Sequence, residues 1–172
     1  MTTPRLSTTE YAVLGVLAER PSHGFAISKQ LASDGELGRV FTVRRPLVYR
    51  ALVRLVDLGY VKPVSTEKGS AGPNRVIHRV TPPGRRRLDH WLWEPVEHVR
   101  DLRIEFLLKL LLLERRGQPP GDLIREQRIA LDSTLTALDD SGTEPPDHVE
   151  RWRQHNAAAA TAYLIDLETR FS

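Results

Sequence analysis

The chain has 172 residues, room for one domain or for a small domain with an attached helical segment. Its 40% hydrophobic content suffices for a core, and the absence of cysteine excludes a disulfide framework, a thiolate metal site and a cysteine nucleophile. The net charge of +3 conceals a split: residues 1–90 hold 15 Lys and Arg against 7 Asp and Glu, a net +8, whereas residues 91–172 hold 10 against 15, a net −5. A basic module suited to a polyanion is therefore expected ahead of an acidic one with another task.

Residues 7–19 predict a helix, with Ser7 as its cap and Glu10 completing a capping box. Tyr11, Val13, Leu14 and Leu17 give that helix an apolar stripe. Pro21-Ser22-His23-Gly24 predicts a turn, followed by a second helix from about Phe25 to Ser33 that buries Phe25, Ile27 or Ser28, Leu31 and Ala32. The third helix starts near Pro46, where a missing N–H is harmless, and stops at Gly59. Val48, Ala51, Leu52, Leu55 and Leu58 share its apolar face, leaving Tyr49, Arg50, Val53, Arg54 and Asp57 outside, with Arg44 and Arg45 just before it. Two β-prone runs, 60–64 and 76–81, flank a turn-rich stretch from Glu67 to Arg75, which predicts a hairpin with a mostly basic tip. Three short helices ending in a two-stranded ribbon describe a winged helix.

From Pro83 onward the sequence reads as helix: about 84–93, then 96–116, 122–138 and 147–171. The third of these carries Ile124, Leu131, Leu135 and Leu138 on one stripe; the fourth presents Val149, Trp152, Asn156, Ala159 or Ala160, Tyr163 and Leu167. Amphipathic helices of this kind need partners, and a second copy of the chain is the simplest source. The expected fold is thus mainly α with a small β-hairpin (α+β), with a winged helix-turn-helix domain over residues 1–83 and a helical dimerisation domain over 84–172. The N-terminal residues lack the apolar run of a signal peptide and the longest apolar stretch, Leu110 to Leu113, is too short to cross a bilayer, so a cytoplasmic protein is expected.

Residues 6–93 resemble the PadR family of transcriptional regulators. The resemblance is carried by Leu6 to Leu17 (LSTTEYAVLGVL), His23-Gly24-Phe25-Ala26-Ile27, Val48 to Leu55 (VYRALVRL) with Gly59-Tyr60-Val61, and Gly72-Pro73-Asn74-Arg75, Thr81-Pro82-Pro83-Gly84 and Trp91-Leu92. Each block falls where the winged-helix reading already places an element. The resemblance implies a dimeric, DNA-binding, ligand-responsive repressor whose C-terminal helices dimerise. The chain departs from the family pattern in three ways: Pro46-Leu47 stand where Gly-Ser or Gly-Thr is usual, His78 replaces an aromatic, and Phe25 replaces a tyrosine.

A helix fits the major groove, where base edges carry a readable pattern of donors and acceptors, and here the expected reader is Pro46 to Leu58. Arg50 and Arg54, one turn apart, are expected to reach guanine edges or phosphates, Val53 a thymine methyl, and Tyr49 a phosphate. Lys68 and Arg75 on the hairpin suit backbone or minor-groove contacts, and Arg5, Ser7, His23, Arg44 and Arg45 are further phosphate candidates. A dimer places two such helices on the order of 34 Å apart and predicts a palindromic operator in double-stranded DNA. Trp91, Trp93 and Trp152 are candidates for the contact surface of a small aromatic effector, against a plain packing role. The six histidines (His23, His78, His90, His98, His148 and His155) form no metal-ligand pair at helical spacing, and nothing in the sequence assembles a nucleophile, base and acid. No cofactor, metal or enzymatic activity is therefore expected. The alternative is an architectural or partner-controlled DNA-binding regulator without a small-molecule ligand.

Overall fold

The computed structural model describes residues 4–68, 74–139 and 147–171. Helix α1 (Thr8–Glu19) begins at the expected capping box: the Ser7 hydroxyl accepts the Glu10 N–H at 3.4 Å and the Glu10 carboxylate accepts the Ser7 N–H at 2.7 Å. Burial on α1 is broader than a stripe. Every residue from Glu10 to Leu17 is buried, because α3, α2 and β3 all pack around this helix.

Ser22–His23 form a two-residue strand, β1, where the sequence predicts only a turn. It pairs antiparallel with the later strand β3 (Arg75–Val80), Ser22 opposite His78. Helix α2 spans Gly24–Gln30, capped by His23, whose Nδ1 accepts the Ala26 N–H at 3.1 Å. It ends three residues earlier than predicted, and the chain returns through turns to Val43, whose N–H donates to the Leu31 carbonyl.

Helix α3 spans Arg45–Asp57, with Pro46 in its first turn and Gly59 in the left-handed region (φ 71°) just beyond its end. Val48, Ala51, Leu52 and Leu55 are buried as the periodicity requires. Strand β2 (Val61–Glu67) pairs with β3 to give a three-stranded sheet in the order β1-β3-β2, with a register shift between Pro63 and Ser65. Hairpin tip residues 69–73, including the Gly72-Pro73 block, lie outside the described residues.

Helix α4 (Pro82–Trp93) starts against the Gly59-Tyr60 turn that follows α3. The Thr81 N–H donates to the Tyr60 carbonyl at 2.9 Å, and the Thr81 hydroxyl accepts the Gly84 N–H at 3.2 Å. Further along α4, Trp91 stacks on Tyr11 of α1 with ring centroids 4.3 Å apart and planes 6° apart. These contacts place α4 within the first of two compact units, residues 1–92, although the sequence reading assigns it to the second domain.

The second unit comprises residues 93–172. The single helix expected over 96–116 is divided into a 3-10 turn, Val99–Arg103, and α5, Glu105–Arg115. The break falls at Ile104 (φ −116°, ψ −63°), and no proline or glycine marks it. Helices α6 (Gly121–Asp139) and α7 (His148–Phe171) run antiparallel, with Arg128 paired to Glu168 at 2.8 Å. Ile124, Leu131 and Leu135 of α6 are buried as expected, while the Leu138 side chain lies outside the described set. On α7 the buried face is Ala157, Ala160, Leu164 and Leu167. Val149, Trp152 and Tyr163 of the predicted stripe are exposed instead, because the small Ala157 and Ala160 form the face that packs. Gln127, fully buried, ties the preceding segment to α6: its amide donates to the Val96 carbonyl and accepts the Val96 N–H.

Candidate nucleic-acid interface

The outer face of α3 is built by elimination. With every fourth or third residue committed to the core, Tyr49, Arg50 and Val53 are left outside, and Val53 is 62% exposed. The start of the helix adds Arg44 and Arg45, both exposed, and its first turn contains no acidic residue. Arg50 makes no ion pair among the described residues, so its charge is available to a polyanion.

Helix α2 adds a feature that the sequence reading missed. Phe25, expected in the core, is 36% exposed and serves as a platform: the Arg45 guanidinium lies 4.9 Å and the Lys29 ammonium 5.6 Å from its ring centroid. Arg45 also lies 5.8 Å from the Tyr49 ring, and His23 stacks on Phe25 at 6.3 Å. Gly24 permits this cluster, since a Cβ there would come within 2.8 Å of the Tyr49 ring. The signal available in the sequence was an aromatic one turn before a lysine at the start of a helix, but its pairing with Arg45 depends on tertiary contact.

The other expected contacts sort by what already holds them. Ser7 and His23 both cap helices, which fixes the Ser7 hydroxyl and the His23 Nδ1 as acceptors toward their own backbone. Arg54 turns away from its neighbour Arg50: its Nη1 donates to both Glu10 carboxylate oxygens, at 2.9 and 3.3 Å, and its Nη2 donates to the Arg5 carbonyl at 3.2 Å. Lys68 and Arg75 are exposed at the described ends of the ribbon. The ribbon also sets Lys62 directly opposite Arg79, two exposed cations across one strand pair, an arrangement that repels unless an anion lies against it. Beside it, burial pulls the His78 imidazole below its ordinary 6.5, which disfavours it as a cation at neutral pH.

The three tryptophans differ in exposure. Trp91 is buried against Tyr11, Trp93 is partly exposed and Trp152 is 71% exposed. A groove of about 470 Å³ lies between α6 and α7, lined by Arg128, Asp132, Leu135, Thr136 and Ala157 among others, with no tryptophan in its wall. Among the described residues no group of three or more His, Asp or Glu is placed to hold a metal ion, and no helix is long and apolar enough to cross a membrane.

A helical core that leaves α3 on the surface, closed by the β2–β3 ribbon, defines a winged helix-turn-helix protein. Residues 13–90 match the Transcriptional regulator PadR-like family. A curated relative, the "Negative transcriptional regulator PadR" of Bacillus subtilis (strain 168), is 27% identical over 136 residues, covering 77% of this chain and 71% of that protein. The crystal structure of Bacillus subtilis PadR in complex with operator DNA has the same fold (TM-score 0.51, 19% identity, 96% of this chain and 100% of that one). The crystal structure of smu.1604c from Streptococcus mutans UA159 compares at a TM-score of 0.47 and 19% identity, over 96% of this chain and 98% of that one.

Proposed function

We propose that the protein is a dimeric repressor that binds a palindromic operator through α3. The observation that carries this reading is the exposed α3 face, where Arg50, Val53 and Tyr49 stand beside Arg44 and Arg45 with no carboxylate in the first turn. Arg50 and Val53 read base edges, the first a guanine and the second a thymine methyl. Tyr49, Arg44 and Arg45 fix the helix on phosphates; Ser7 and His23, at two neighbouring helix starts, flank the same contact. Lys68 and Arg75 carry the ribbon onto the adjoining backbone. The assignment is supported by the operator-bound structure of the Bacillus subtilis relative, and repression by that protein's description as a negative regulator.

Dimerisation is assigned to the C-terminal helices. Ile129 on α6 and Val149, Trp152 and Ile165 on α7 are each at least half exposed, more apolar surface than a pair of helices usually leaves to water. Release by a small aromatic effector completes the reading, with Trp93 and Trp152 as its accessible ring contacts, whereas Trp91 is taken up by Tyr11.

The test is a gel-shift titration on the DNA just upstream of the protein's own gene, at two salt concentrations. A salt-sensitive complex that resists excess scrambled duplex is expected. Binding that any duplex competes away would replace the repressor reading with an architectural one. Trp152→Asp together with Ile129→Asp is expected to convert a dimer to a monomer in analytical ultracentrifugation, and an unchanged dimer would move the interface elsewhere.

A further inference from the structure

Glu10 is nearly fully buried, yet it is a charged side chain at the start of the central helix, far from the exposed basic face in sequence. Three hydrogen bonds converge on its carboxylate: one from the Ser7 N–H and two from the Arg54 Nη1, which donates to both oxygens. Arg54 is the one recognition-helix arginine so held; Arg50, one turn earlier, is free of any ion pair among the described residues. A buried carboxylate that lost its arginine would be left with a single hydrogen-bond donor from the backbone, so drawing Arg54 away toward a phosphate is strongly opposed.

We infer that Glu10 is a specificity-determining positioning residue: it sequesters Arg54 in an ion pair, removing one positive charge from the DNA-facing set and fixing the angle of α3 against α1. This rests on the DNA-binding reading of α3 and deepens it. Non-specific affinity grows with each cation offered to phosphate, whereas base discrimination does not. On an operator α3 is fixed by its base contacts, whereas on scrambled DNA the protein can shift until a freed Arg54 meets a phosphate, so neutralising this arginine weakens non-specific binding more than specific binding and raises their ratio. The ion pair also leaves Arg50 and Val53 as the readers on that face.

The experiment measures affinity against salt for the upstream duplex and for a scrambled duplex of equal length, using the full chain. Glu10→Gln keeps a side chain able to complete the capping box but releases Arg54. The expected result is a salt dependence steeper by roughly 0.9 in log–log slope, so that affinity falls roughly 3.5-fold more between 50 and 200 mM salt. Scrambled DNA then binds more tightly at low salt, and the specificity ratio drops. The double variant Glu10→Gln/Arg54→Gln, which removes both charges, is expected to restore the wild-type slope and ratio. That outcome separates released charge from a loosened helix, which the second substitution would not repair.

Should Glu10→Gln fail to fold, the double variant still decides. A slope shallower than wild type by roughly 0.9 would mean that Arg54 contacts phosphate in the native protein, and would overturn the inference. An unchanged slope in a folded Glu10→Gln protein would overturn it too. Wild-type protein that shows no salt-dependent preference for the upstream duplex would defeat the operator reading itself; specific wild-type binding with either contrary variant result defeats only the role given to Glu10.

Discussion

Gly84→Ala is a substitution for which local propensity and tertiary packing predict opposite signs. In the first turn of α4 an alanine would be favoured over glycine by at most about 1 kcal/mol from helix propensity alone. The fold forbids it space: a Cβ at residue 84 would lie 2.1 Å from the Tyr60 carbonyl oxygen and 3.0 Å from its Cα. Both contacts are to backbone, which no side-chain rotation relieves, so α4 must withdraw by roughly 1 Å. That movement strains the Thr81 N–H to Tyr60 carbonyl bond at 2.9 Å and the Gly84 N–H to Thr81 hydroxyl bond at 3.2 Å. Overpacking of about 1–3 kcal/mol and weakened hydrogen bonds of about 0.5–1.5 kcal/mol each, less the propensity gain, leave a net destabilisation of roughly 3 kcal/mol. In a urea titration followed by tryptophan fluorescence, the midpoint should fall by about 1–3 M with little change in slope. A Gly84→Ala protein as stable as the wild type would refute the close approach of the α4 start to the Tyr60 backbone.

Three further outcomes are expected. Arg50→Ala should weaken operator binding by about 1–3 kcal/mol and relax base preference, whereas Lys68→Ala should weaken all duplexes alike and reduce the salt slope by about 1; equal losses on operator and scrambled DNA for both variants would contradict the division of labour. Trp91→Ala should destabilise the first unit by about 3–5 kcal/mol through the emptied stack on Tyr11, with Trp91→Phe much milder, as read by thermal or urea unfolding. The Lys109 ammonium, buried and bonded to the Glu94 carbonyl at 2.6 Å and to Glu105 at 3.1 Å, is held below the ordinary 10.5 chiefly by burial, with Glu105 pulling it back up. Between the lowered value and 10.5 the unfolded chain binds more protons than the folded one, so stability at this site rises with pH across that window. Lys109→Met should lack the rise; unfolding midpoints of the two proteins that stay parallel from neutral pH upward would count against it.

What the sequence made legible was local. The capping box at Ser7 and Glu10, the buried face of α3 and the stop at Gly59 each depend on residues within one or two turns, and each stands in the structure as the pattern requires. Readings that failed depend on distance. Strand β1 exists only because Ser22 meets His78 across the fold, and Ser22-His23 alone carries turn chemistry. The division of the helix at Ile104 has no proline or glycine to announce it. On α7 the predicted stripe is right at Ala160 and Leu167, which are buried, and fails at Val149, Trp152 and Tyr163, because hydrophobicity, not the fit of small residues against α6, sets the visible pattern.

The candidate interface shows the same division. Periodicity correctly put Tyr49, Arg50 and Val53 on the surface of α3, since exposure there follows from what the core takes. It could not separate Arg50 from Arg54, which have the same residue type, the same helix and nearly the same face. The difference between them is made by Glu10, 44 positions earlier, which the sequence displays only as half of a capping box. One carboxylate thus serves two elements: it satisfies the start of α1 and anchors α3. Such double use is invisible to any single-helix pattern, and it is the reason that charge on a recognition helix has to be weighed by partner as well as by exposure.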